Sequence, residues 1–154
     1  MKSKVLLFFL VSIATLMTGC SSSKVNIESG NGLMMYEGVK YPLNLSTAAT
    51  YPVDGGYKHT VTFTNTKNGN TVFTILVKDD NSQTGISAGS YPTSLNGDYT
   101  AHFSVEGTGD YLLGTIEVTM SGDTYTFNFT GTTIDENTPT MTVTFTYTGK
   151  IVKA

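Results

Sequence analysis

Few side chains in this sequence could perform chemistry near neutral pH. The chain has two histidines, His59 and His102, a single cysteine, Cys20, and no arginine. Catalysis in this pH range needs a group that exchanges protons or attacks a substrate. Ser90 or Ser104 could complete a Ser-His-Asp set, but neither serine lies in a G-x-S-x-G turn. We therefore predict that the protein has no catalytic residue and no cofactor, and that it is not an enzyme.

The positions of the two histidines in alternating segments indicate where their rings point. His59 shares its parity with Val61 and Phe63, which predicts a buried ring at the inner end of a strand. His102 shares its parity with Ser104, which predicts a ring that faces solvent. We therefore expect a structural His59 and a solvated His102.

Two acidic clusters, Asp79 to Asn81 and Asp135 to Asn137, supply the oxygen ligands that Ca²⁺ prefers. Neither cluster has the Asp-x-Asp-x-Asp-Gly spacing or the more distant glutamate of a calcium-binding loop. We interpret both as solvated loops and predict no metal site.

The single cysteine follows a segment that is typical of an export signal. Lys2 and Lys4 precede the apolar run Val5 to Met17, and small residues separate this run from Cys20. The run is shorter than the about 20 residues that a membrane-spanning helix needs. A thiolate is a good acceptor for a diacylglycerol group, and lipidation would also remove an unpaired thiol. These features predict that Cys20 is lipidated.

The segment Leu16 to Cys20, with the sequence LMTGC, resembles the lipobox of bacterial lipoproteins, in which the cysteine becomes the mature N-terminus. The resemblance implies a lipid-anchored protein of the cell envelope, on the periplasmic side of the outer membrane or at the cell surface. Two or more acyl chains anchor a protein stably. We expect residues 1–19 to be the signal peptide, residues 20–33 to be the lipidated N-terminus and a flexible tether, and residues 34–154 to form one domain.

Composition limits the partners of this domain. Only 14% of the residues are charged and 39% are hydrophobic, which excludes a charge-driven disordered chain. Without residues 1–19, twelve acidic residues face seven lysines, so the net charge is −5. This balance excludes a nucleic-acid binder held by phosphate contacts and leaves the lipid as the contact with the membrane.

Apolar and polar residues alternate with a period of two from Met34 onward, and no stretch has the periodicity of a helix. In Met141 to Thr148, every odd position is apolar or aromatic and every even position is threonine. Similar segments are Val61 to Thr64, Phe73 to Val77, Thr115 to Met120 and Tyr125 to Phe129, with weaker candidates at Lys40 to Ser46, Gly89 to Pro92 and Asp98 to Val105. Glycine beside Asn or Asp marks tight turns between these segments. The pattern predicts an all-β fold, an antiparallel β-sandwich of about eight or nine strands, with a closed lipocalin-like barrel as the alternative.

Four short sequence elements stand out in the second half of the chain. They are Ala88 to Tyr91, Gly114 to Val118, Gly122 to Phe127 and Tyr147 to Ile151. Together they resemble small lipoproteins of Bacteroidetes whose function is unknown. The resemblance implies an exported, β-sandwich-like domain and carries no activity with it.

The tyrosines near predicted turns are the remaining candidates for ligand contacts: Tyr51, Tyr57, Tyr91 and Tyr111. A ring with a polar tip can stack on a sugar or anchor a protein contact, but such rings also cap the ends of a core.

The sequence thus predicts a non-catalytic binding, adhesion or structural module of the envelope, with a glycan or a protein as its ligand. A carrier of a small apolar ligand is the alternative if the strands close around a cavity. A secreted hydrolase is a third hypothesis, which would need a histidine beside a serine and a carboxylate.

Overall fold

The computed structural model describes residues 29–66, 69–80, 82–134 and 140–153. These ranges contain eleven strands: β1 (Gly30–Tyr36), β2 (Val39–Leu43), β3 (Leu45–Val53), β4 (Gly56–Thr64), β5 (Thr71–Asp79), β6 (Gly89–Pro92), β7 (Tyr99–Val105), β8 (Thr108–Ser121), β9 (Thr124–Thr133), β10 (Thr142–Gly149) and β11 (Val152–Lys153). Within the same ranges we find no helix whose length and apolar character would let it span a bilayer.

All the strands belong to one mixed sheet that curls into an open half-barrel. Ten strands follow one another in the order β11-β3-β4-β5-β7-β8-β9-β10-β1-β2, and β6 pairs with β8 beside this path. Every pair is antiparallel except β11 with β3. The predicted all-β class is therefore confirmed, whereas two packed sheets and a count of eight or nine strands are not.

Alternation of side chains explains why these segments form strands. In β10, Val143, Phe145 and Tyr147 are buried, and the threonines between them lie on the outer face. The outer threonines also meet across strands, since the hydroxyls of Thr126 and Thr148 lie 3.2 Å apart. β10 thus buries one face and leaves the other partly or fully exposed, as β5 and much of β9 also do.

The boundary of the sheet differs from the expected start of the domain. β1 begins at Gly30, inside the range 20–33 that was expected to be a tether, and pairs with β10 from its first residue. Residues 30–32 combine two glycines with an asparagine and carry little strand propensity of their own. Pairing with β10 overrides this weak local preference.

A pair of glycines marks the place where β8 changes its neighbour. Gly114 in β8 lies opposite Gly131 in β9. A Cβ atom on Gly131 would lie 2.5 Å from the carbonyl oxygen of Leu113, and one on Gly114 would collide with Thr130. On the other side, β8 pairs with β7 up to Leu112 and with β6 only from Thr115. Glycine permits the close backbone approach that a sharply curved sheet needs.

Aromatic side chains fill the interior of the half-barrel. Phe73 stacks on Phe145 with ring centroids 4.2 Å apart, and Phe63 contacts Tyr147 at 4.8 Å. Phe127 packs edge-on against Phe63 at 5.3 Å. Rings that interlock in this way exclude water and fix the curvature of the sheet.

A buried hydroxyl network fixes the point where the described chain enters the sheet. The Tyr147 hydroxyl lies 2.8 Å from Ser29 Oγ and 3.1 Å from Ser46 Oγ, and it donates to the carbonyl of Lys150 at 3.0 Å. The backbone N–H of Ser46 donates to Ser29 Oγ at 2.6 Å. The N–H of Ser29 in turn donates to the carbonyl of Asn44. Ser29 is therefore held between β3 and the end of β10.

Candidate functional site

The predicted lipidation site, Cys20, lies outside the described residues, as does the whole range 1–28. The described chain begins at Ser29, whose carbonyl oxygen accepts a hydrogen bond from the backbone N–H of Lys150. The site is therefore sought in the described sheet, beginning with the histidines.

His59 points into the interior, as its parity predicted, and is 1% exposed. Its Nε2 lies 2.9 Å from the carbonyl oxygen of Ser82, and its Nδ1 lies 3.0 Å from Thr50 Oγ1. A carbonyl can only accept, so Nε2 carries a proton and donates to Ser82, while Nδ1 is hydrogen-bonded to the threonine hydroxyl. The ring also borders a cavity of about 70 Å³ beside Ile86 and Tyr125. Both nitrogens therefore already have structural partners.

His102 lies on the opposite face of its strand from buried Phe103. Its ring packs edge-on against Tyr111, with centroids 5.2 Å apart. The hydroxyl of Ser90 donates to Glu117 at 2.6 Å. Among the described residues, no hydrogen bond joins either histidine to Ser90 or Ser104.

The two acidic clusters fall partly or wholly outside the described ranges, since residues 81 and 135–139 are not described. Asp79 is buried and accepts from the N–H of Ser87 at 3.1 Å. Asp80 lies 3.7 Å from Lys78 Nζ. In the part of the chain that the structure describes, no group of three or more potential ligands could hold a metal ion.

A recess of about 430 Å³ that contains ionisable groups lies at one end of the half-barrel. The hairpin between β1 and β2 forms one wall, the hairpin between β7 and β8 forms another, and the ends of β9 and β10 complete it. We call this site the Tyr36 cleft, and its defining residues are Tyr36, Glu37, Tyr41, Phe103, Asp110 and Thr133.

Two tight turns with the same dipeptide shape the walls of the Tyr36 cleft. Glu37 and Gly38 connect β1 to β2, with φ values of 52° and 75°. Glu106 and Gly107 connect β7 to β8, with φ values of 52° and 85°. Positive φ at both central residues is the requirement of a type I′ turn, and a glutamate rarely adopts it. Each turn therefore holds a carboxylate in a conformation that costs stability.

Negative charge converges on one hydroxyl within the Tyr36 cleft. Burial raises the pKa of Tyr36 above its ordinary value, and the neighbouring carboxylate of Glu37 raises it further. Tyr41 and the charge of Asp110 act in the same direction. The ring of Tyr36 packs on Phe103 with centroids 4.7 Å apart. The cleft thus combines aromatic walls with two carboxylates and a half-buried tyrosine.

The Tyr36 cleft and the chain entry lie at opposite ends of the sheet. β1 runs from Gly30, next to Ser29, to Tyr36 in the cleft, and spans roughly 20 Å at the usual rise of a strand. β10 runs the other way and ends at Gly149, which pairs with Gly30. The cleft therefore opens away from the point where residues 1–28 join the domain.

Sequence reasoning did not find this site. The tyrosines that it selected do not line the Tyr36 cleft, which uses Tyr36 and Tyr41 instead. The sequence feature that could have indicated its two hairpins is the dipeptide Glu-Gly, at 37–38 and again at 106–107, between alternating apolar segments.

Searches of protein-family models, curated proteins and solved structures returned no match for this chain.

Proposed function

We propose that this protein is a lipid-anchored protein of the bacterial cell envelope whose β domain is a non-catalytic binding module, with the Tyr36 cleft as its ligand site. One observation carries the proposal: the cleft and the chain entry at Ser29 lie at opposite ends of the sheet. A tether attached at Ser29 leaves such a cleft free to meet a ligand.

The anchor is supported by the sequence around Cys20, which has the order and spacing of a lipobox and resembles bacterial lipoproteins. Nine residue steps separate Cys20 from Ser29, the first residue that the structure describes. The resemblance to small Bacteroidetes lipoproteins supports the same location in the envelope.

The shape of the Tyr36 cleft supports binding of a small ligand or of one unit of a larger one. Its volume of about 430 Å³ lies in the usual range of ligand sites, about 300–1,000 Å³. Aromatic rings offer stacking surfaces, and Glu37, Asp110 and Thr133 offer hydrogen-bonding groups. A glycan unit fits this combination of flat apolar faces and acceptors.

The alternative, a carrier of a small apolar ligand, has less support. The interior of the described sheet is filled by aromatic side chains. The cavity beside His59 measures about 70 Å³, whereas a dry cavity that binds benzene measures about 150 Å³. The binding module therefore remains the preferred proposal.

A glycan array and a pull-down from envelope extract test the proposal with two matched variants. Tyr36→Ala removes a wall of the Tyr36 cleft, and Tyr51→Ala removes an exposed ring, 56% accessible, on β3 outside it. We expect a ligand that is retained by the wild type and by Tyr51→Ala and is lost by Tyr36→Ala, with circular dichroism showing that both variants are folded. Equal retention by all three proteins, or none by the wild type in either assay, would contradict the proposal.

A further inference from the structure

The charge of the Tyr36 cleft narrows the chemistry of its ligand. Glu37 and Asp110 line the cleft, and no lysine or histidine is among the described residues that form it. Both carboxylates belong to the lining of the same cleft as Tyr36, so their negative potentials add within it. A neutral or anionic ligand would leave this potential uncompensated, whereas a cation would offset it.

The aromatic lining of the Tyr36 cleft also favours a positively charged ligand. Tyr36, Tyr41 and Phe103 present rings to the Tyr36 cleft, and the face of an aromatic ring attracts a cation through its quadrupole. Rings alone would equally suit the apolar face of a sugar. The carboxylates of Glu37 and Asp110 favour a cation over a neutral sugar, because they add negative charge as well as hydrogen-bond acceptors.

Asp110 has an oxygen that can receive a new donor. Its Oδ1 accepts the backbone N–H of Tyr111 at 2.7 Å, and its Oδ2 has no hydrogen-bond partner among the described residues. A carboxylate has no proton to donate, so the group that binds Oδ2 must be a donor. A primary ammonium group has three donors and no acceptor, which matches Asp110, Glu37 and the oxygen of Tyr36.

We infer that the ligand of the Tyr36 cleft carries a primary ammonium group, which binds between the carboxylates of Glu37 and Asp110 with the ring of Tyr36 beside it. The inference rests on the proposed binding function and names the ligand class of the same site. An amino sugar and an alkyl amine, such as the end of a lysine side chain, are two sources of this group.

Two pairs of probes test the inference, each pair differing in one kind of group. Glucosamine is compared with glucose, and cadaverine with 1,5-pentanediol, in titrations of the ¹⁵N-labelled full chain followed by NMR. A polyoxyethylene detergent keeps sugar head groups out of the sample. We expect at least one amine to shift the signals of Gly109 and Asp110 and to bind about tenfold or more tightly than its neutral counterpart. The pair that shows this difference identifies the source of the group.

Matched acid-to-amide variants locate the effect. Asp110→Asn keeps an oxygen for the N–H of Tyr111 and removes one negative charge from the Tyr36 cleft. Asp123→Asn removes the same charge at the opposite end of the sheet, where Asp123 pairs with Lys150. We expect Asp110→Asn to abolish the preference for the amine and Asp123→Asn to preserve it.

The outcomes separate this inference from the function on which it rests. Equal affinity of an amine and its neutral partner for the Tyr36 cleft would overturn the inference and leave the binding function standing. An amine preference that survives Asp110→Asn would also overturn it. If no probe shifts a signal of the cleft, the ammonium inference fails, while the glycan array and pull-down judge the binding function separately.

Discussion

At the level of single residues, the hydroxyl of Tyr147 links three parts of the chain. It reaches Ser29 and Ser46 and donates to the carbonyl of Lys150, and the side chains of Tyr147 and Ser46 are both buried. Removing one partner of a buried hydrogen bond leaves the other partner unsatisfied, and this costs more free energy than an average hydrogen bond contributes to stability. This one oxygen therefore does much to fix the chain entry.

Removal of that oxygen gives the first prediction. We expect Tyr147→Phe to lower the free energy of unfolding by about 1–2 kcal/mol, because the hydroxyls of Ser29 and Ser46 lose a buried partner. Tyr111→Phe is the matched control, since its ring is 47% exposed, and we expect a change of less than about 0.5 kcal/mol. Urea unfolding with an unchanged m-value measures both. A Tyr147→Phe protein as stable as the wild type would contradict the role of this network.

The Tyr36 hydroxyl gives a prediction about pH. Its pKa is raised in the folded protein, so its contribution to stability is complete below the ordinary tyrosine pKa and is lost as the pH rises through the raised pKa. Asp110→Asn removes one of the charges that raise the pKa, and we expect the pKa of Tyr36 to fall toward its ordinary value. NMR of ¹³Cζ-labelled tyrosines measures this titration. The same pKa in wild type and variant would show that Asp110 does not face the hydroxyl.

At the level of elements, the hairpin between β1 and β2 combines an unfavourable turn residue with a place in the Tyr36 cleft. Glu37 adopts a φ of 52° beside Gly38, where Asn-Gly is the preferred dipeptide. A residue that is poor for its turn but supplies a carboxylate to a cleft suggests a trade of stability for binding.

This trade is testable with one substitution. We expect Glu37→Asn to raise the free energy of unfolding by about 0.5 kcal/mol, because asparagine tolerates the left-handed conformation, and to weaken ligand binding at the Tyr36 cleft. Thermal unfolding and the NMR titration with the amine probes measure the two effects. A variant that is less stable than the wild type, or that binds as tightly, would show that Glu37 is not such a compromise.

The curvature of the sheet gives a second prediction about elements. We expect Gly131→Ala to destabilise the protein by about 2 kcal/mol or more, since the new methyl group would meet the ring of Phe129 and the carbonyl of Leu113. Gly69→Ala is the control, because a Cβ atom there meets nothing within 4 Å. Chemical unfolding compares the two alanine variants. Similar stabilities would mean that the sheet can curve without a glycine at 131.

Features of the fold that depend on neighbouring residues could be predicted from the sequence, whereas features that depend on contacts between distant residues could not. The alternation in Met141 to Thr148 is local, and the structure confirms β10 over nearly the same residues. The inward ring of His59 follows from the same periodicity and is confirmed. The curl at Gly114 and Gly131 depends on two glycines that meet only after β8 and β9 pair. Alternation does not encode such a meeting, so the sequence predicted a β-sandwich, with a closed barrel as the alternative, and not one curled open sheet.

The Tyr36 cleft was missed for a related reason. Tyr36 and Asp110 are distant in sequence and line the same cleft because β1 ends and β8 begins at the same side of a curled sheet. A sequence pattern locates turns one at a time, so it could have flagged the turns at Glu37 and Glu106 but not that the two hairpins border one cleft. Exposure near a turn is a weaker guide, as the placement of Tyr51 outside the cleft illustrates.

At the level of the whole molecule, we propose a lipid anchor that joins one end of the sheet, at Ser29, and a ligand site at the other end, in the Tyr36 cleft. The sheet, its filled aromatic interior and the position of Ser29 are features of the described fold. The functional meaning of this arrangement depends on a lipid at Cys20, since only a tether makes one end of the domain proximal to a membrane and the other distal.

This arrangement depends on lipidation of Cys20, which incorporation of labelled palmitate tests. We predict that the wild-type protein takes up the label and stays with the membrane pellet after carbonate extraction, and that Cys20→Ala takes up none and moves to the soluble fraction. Labelling and sedimentation of Cys20→Ala at the wild-type level would contradict the account.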